Sequence, residues 1–94
     1  MRLVLIEWVD AFGCSPSWQD LDEDYDAKPI ICRSVGWLFR DGPVCTVIVP
    51  HIADVPDDEP KQGCGDMAIP TRAILRMVDL IESPSKAPKA PNAP

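Results

Sequence analysis

The side chains best suited to metal binding or nucleophilic chemistry are Cys14, Cys32, Cys45, Cys64 and His51. Structural zinc sites draw their ligands from close pairs such as C-x-x-C. Here the neighbouring cysteines are separated by 17, 12 and 18 residues, so no pair exists and no metal site is expected. Cys32 and Cys45 fall in apolar, β-branched runs, where a reduced cysteine behaves as a small apolar residue. Cys64, between Gly63 and Gly65, is the thiol expected to be exposed. A Cys–His hydrolase needs a nucleophile, a base and a third group to orient the base. His51 lies six residues from Cys45 and thirteen from Cys64, but no orienting group is evident, so no catalytic residue is assigned.

The acids are the second source of chemistry. Asp20, Asp22, Asp24 and Asp26 alternate as in the first half of an EF-hand calcium loop. That loop needs glycine at its sixth position and glutamate at its twelfth. Tyr25 and Ile31 stand there instead, which leaves a solvated acidic loop suited to docking on a basic surface. No G-x-x-x-x-G-K or G-x-G-x-x-G phosphate loop is present. No cofactor is expected.

Three tryptophans make up half of the six Trp, Tyr and Phe residues. Trp8 and Trp37 lie in apolar runs and are expected in the core. Trp18 lies in a polar, acidic stretch, where it either caps the core or forms a binding surface. The candidate binding residues are Trp18, Asp10, Arg33, Ser34 and Trp37, expected around the mouth of one long loop.

These residues must be positioned by elements that the hydrophobic pattern marks out. Residues 2–9, Arg-Leu-Val-Leu-Ile-Glu-Trp-Val, predict a strand. Val4, Ile6 and Trp8 share one face; Leu3, Leu5 and Val9 flank Glu7 on the other. A strand apolar on both faces is central or covered by a partner. Residues 10–28 read as a long loop. Residues 30–40 and 44–49 predict a hairpin about Asp41-Gly42-Pro43. Ile31, Arg33, Val35, Trp37 and Phe39 fall on one side of its first strand, with Gly36 a bend, bulge or close approach on the other. Residues 50–66 read as a second loop. The stretch from Met67 to Glu82 fits strand, tight turn near 70–74 and strand, or a helix over 70–82 from the spacing of Ile74, Met77, Val78 and Ile81.

The expected fold class is therefore mainly β, a small SH3-like or Sm-like five-stranded barrel. An α+β meander with a C-terminal helix is the alternative. Residues 1–82 form a single domain, and residues 83–94, rich in Pro, Lys and Ala, form a disordered tail. The net charge is −6, and residues 1–82 carry about −8 from seven basic and fifteen acidic side chains. Such a body repels phosphate backbones, which argues against non-specific nucleic-acid binding. No apolar run is long enough for a membrane span, and Met1 to Ile6 is too short for the apolar region of a signal peptide. A cytoplasmic location with reduced thiols is expected.

Three pieces of the chain resemble a group of short proteins encoded by bacteriophages and prophages. They are Glu7-Trp8-Val9-Asp10 followed by Trp18, then Cys32-Arg33-Ser34-Val35-Gly36-Trp37-Leu38, then Ile69-Pro70 followed by Ile74 and Leu80. The resemblance spans most of residues 3–81 and implies a phage-related origin without assigning an activity. The acidic loop and the Lys-Pro-Ala tail lie outside the shared pattern. By analogy, the resemblance points to a binder directed at a host protein or a host defence signal.

The expected function is a non-enzymatic interaction module, homo-oligomeric because so small a core needs its second apolar face covered. A rival is an oligomeric protein that sequesters a small nucleotide signal, with Arg33, Arg72 or Arg76 gripping phosphate. A Cys/His or carboxylate hydrolase is the third possibility.

Overall fold

The computed structural model describes residues 1–56 and 59–84. The elements are β1 (Leu3–Asp10), β2 (Ile30–Asp41), β3 (Cys45–Val49), β4 (His51–Ala53), β5 (Gln62–Cys64), β6 (Met67–Pro70), a 3-10 turn η1 (Thr71–Ala73) and β7 (Ile74–Asp79). Five strands form an antiparallel sheet in the order β6-β3-β2-β1-β7, and β4 and β5 pair as a separate hairpin. The fold is mainly β and antiparallel. The helix over 70–82 is not formed: η1 is three residues long and β7 follows it directly. Of the tail at 83–94, only Ser83 and Pro84 are described; both are exposed, and the rest lies outside the described residues. No helix among the described residues is long and apolar enough to cross a membrane.

The alternation of β1 builds the core. Val4 and Ile6 are fully buried and join Ile48 of β3 and Ile69 of β6. Trp8, Leu38, Met67, Ile74 and Met77 pack around them. Both edge strands, β6 and β7, thus contribute to one core from the same face of the sheet. Gly36 on β2 allows the required close approach: a Cβ there would lie 3.1 Å from Ile48 Cβ and 3.2 Å from the Val49 nitrogen.

Thr71 fixes η1 against the β2–β3 turn. Its N–H donates to the Val44 carbonyl at 2.9 Å, and its hydroxyl donates to the Gly42 carbonyl at 2.6 Å. The Thr71 hydroxyl also lies 3.0 Å from that of Thr46, a fully buried residue whose polar atom is thereby satisfied.

The loop between β1 and β2, residues 11–29, is exposed at every position. Gly13 and Cys14 turn it with φ values of 138° and 57°. Its hydrogen bonds are local: Asp22 Oδ1 accepts from the Asp24 N–H at 2.9 Å, and Ser15 Oγ accepts from the Ser17 N–H at 3.2 Å.

Candidate functional site

Antiparallel pairing aligns the outward side chains of β7, β1 and β2 into rows. One row is Val78, Leu5 and Val35. The next is Arg76, Glu7 and Arg33. Beyond it Val9 stands opposite Ile31, and at the other end Leu3, Trp37 and Val49 align. The outer face is therefore apolar, crossed by one charged row. Val49 is covered by the β4–β5 hairpin, since a Cβ on Gly63 would lie 2.7 Å from Val49 Cγ1. Of the rest, Ile31 is 59% and Val35 52% exposed, while Leu3, Leu5, Val9, Trp37 and Val78 are half-buried. Single exposed apolar residues are ordinary, but Ile31 and Val35 flank the charged row on one face and make it a candidate interaction surface.

Glu7 is the centre of the charged row. Arg76 Nε donates to its Oε1 at 2.7 Å, and Arg33 Nε donates to its Oε2 at 2.8 Å. The hydrogen bond from Arg76, then that from Arg33, holds its carboxyl below the usual glutamate range. The Glu7 side chain is only 16% exposed, whereas those of Arg33 and Arg76 are 68% and 57% exposed. Among the described residues no other acceptor is hydrogen-bonded to either guanidinium, so their outward edges face solvent. Two cations and one anion give this row a net positive charge within an acidic chain.

The structure disperses the five residues singled out in the sequence. Arg33 stands in the charged row. Trp37 lies toward the far end of β2, where it lines a cleft of about 320 Å³ with Met1, Ile52, Asp54 and Lys61. Ser34 points the other way, accepting from Trp8 Nε1 at 3.0 Å in a part-buried pair. Asp10 ends β1 and its Oδ1 caps the Ala11 N–H at 2.8 Å. Trp18 is fully exposed and packs on nothing. Glu7 was not expected at a site, and Arg76 was expected only as a phosphate ligand, not as a partner of Glu7. The signal was present: an acid inside an apolar strand needs a cation beside it.

Other candidate chemistry is less developed. His51 stands directly opposite Cys64 across the β4–β5 hairpin. Cys64 is exposed as expected, and Cys14 is exposed as well. Among the described residues no side chain is hydrogen-bonded to His51 to orient it as a base. No group of three His, Cys, Asp or Glu side chains among the described residues could hold a metal ion. An open cleft of about 1030 Å³ is lined by Phe12, Cys14, Asp20, Asp22, Tyr25 and other loop residues alone. Comparison of the chain with protein-family models, curated proteins and solved structures finds no match.

Proposed function

We propose that the chain is a non-enzymatic SH3-like module that works by docking a protein on the outer face of its sheet. The strand order β6-β3-β2-β1-β7, with a 3-10 turn joining the two edge strands, supports the barrel reading. Three residues span only about 6 Å as a 3-10 turn, which keeps the end of β6 close to the start of β7. The observation that carries the functional reading is the open outer face: exposed Ile31 and Val35 beside an Arg–Glu–Arg row with free guanidinium edges. Apolar area supplies affinity in such surfaces, and arginine supplies orientation and specificity. The resemblance of residues 3–81 to phage-encoded proteins favours a host protein in the bacterial cytoplasm as the partner.

A phosphate-bearing signal held by Arg33 and Arg76 is the second reading, favoured by the convergence of the two guanidiniums on one point. It would have to compete with the Glu7 carboxylate already seated there. Affinity capture from host extract with the full chain, together with native mass spectrometry, tests both. Val35→Asp and Arg33→Glu are expected to weaken partner capture at least about tenfold, the loss of one well-packed contact. Gln62→Ala, on the exposed β5, is expected to leave it unchanged. A partner retained equally by the face variants, or a bound nucleotide with no protein partner, overturns the docking proposal.

A further inference from the structure

We infer that the outer face, when no host partner occupies it, docks the 11–29 loop of a second copy of this chain, an inference that rests on reading that face as a protein-docking surface. One chain carries two complementary surfaces, each without a partner among the described residues. The loop is exposed throughout, with Phe12 65%, Leu21 87% and Trp18 fully exposed. It holds Asp20, Asp22, Glu23, Asp24 and Asp26. Its one cation, Lys28, is paired with Asp26 at 3.0 Å. The face offers the converse: the apolar side chains Ile31 and Val35, and two guanidiniums sharing one carboxylate. Aromatic and aliphatic loop residues fit the apolar rows, and loop carboxylates fit the free guanidinium edges.

The reach is adequate. The loop leaves the sheet at Asp10 and Ile30, which are paired across β1 and β2. Half of its 19 residues can extend about 30 Å, whereas the row at Ile31 lies about 13 Å from the row at Val35. A two-fold exchange, each copy giving its loop to the face of the other, satisfies both surfaces twice and leaves no open end.

Sedimentation equilibrium of the full chain over a range of concentrations and salt tests this. A dimer that weakens with rising salt is expected. Arg33→Glu with Arg76→Glu should raise the dissociation constant at least about tenfold, and Asp22→Lys with Asp24→Lys should do the same. All four reversals together should restore the dimer. The loop reversal breaks no buried contact, so it reads the interface even if the face variant loses its fold. A monomer at every concentration overturns the inference, as does a dimer indifferent to the loop reversal or a failed rescue in a folded quadruple variant. A monomer whose host-partner capture still depends on Val35 overturns this inference alone; one whose capture ignores the face overturns the docking proposal with it.

Discussion

Glu7 is where the apolar strand and the charged face meet. It sits in a run that is otherwise apolar on its side, and Arg76 and Arg33 compensate it at 2.7 and 2.8 Å. Because its carboxyl is held low in the folded protein, its contribution to stability is fully present above the ordinary glutamate range. That contribution fades as pH falls through the lowered value. Urea unfolding of the wild type and Glu7→Gln across acidic pH should therefore show a stability gap that closes as pH falls; a gap that widens with acid contradicts the assignment. Ser34 has the opposite character. Its hydroxyl accepts from Trp8 Nε1 on the inner face, so Ser34→Ala should cost about 1 kcal/mol of stability and leave partner binding unchanged. It was expected at the mouth of the long loop, but a sequence does not show which face of a strand is open.

At the scale of elements, β1, β2 and β3 were legible because β-branched runs and the Asp41-Gly42-Pro43 turn agree with one another. β4 and β5 were missed. Each has three residues among prolines and glycines, too few to show alternation. The ambiguity near the end has a physical source. The register of β1 and β7 shifts between Glu7 and Trp8, leaving Leu75 as an extra residue. The bulge puts Ile74 and Met77, three apart, in the same core, which is also the spacing of a helix face. Glu7 signalled that a cation stands beside it, but the sequence did not show which one, because Arg76 reaches it only through the pairing of β1 with β7. The docking of the 3-10 turn on the β2–β3 turn depends on Thr71. Thr71→Val removes its hydroxyl bonds to Gly42 and Thr46, and should lower unfolding stability by about 1–3 kcal/mol. The loop should be dispensable for folding, because none of its side chains is buried. Replacing residues 12–28 with a short glycine-containing turn should leave a cooperative unfolding transition while abolishing the dimer.

Across the whole molecule, charge is arranged rather than spread. The acids concentrate in residues 20–26 and 54–59, while the sheet face that lies open carries the Arg33–Glu7–Arg76 row. The small core of Val4, Ile6, Ile48 and Ile69 lies on one face of the sheet, and on the other face of β1 and β2 Ile31 and Val35 are exposed. The central claim is that this second face is where the protein binds. Hydroxyl-radical footprinting of the intact protein, at high dilution and in its isolated complex, tests this most directly. Leu5, Ile31, Val35 and Trp37 should be protected in the complex, while His51 and Cys64 on the β4–β5 hairpin react as before. Protection confined to the hairpin, with Ile31 and Val35 as reactive as in the free chain, would contradict it.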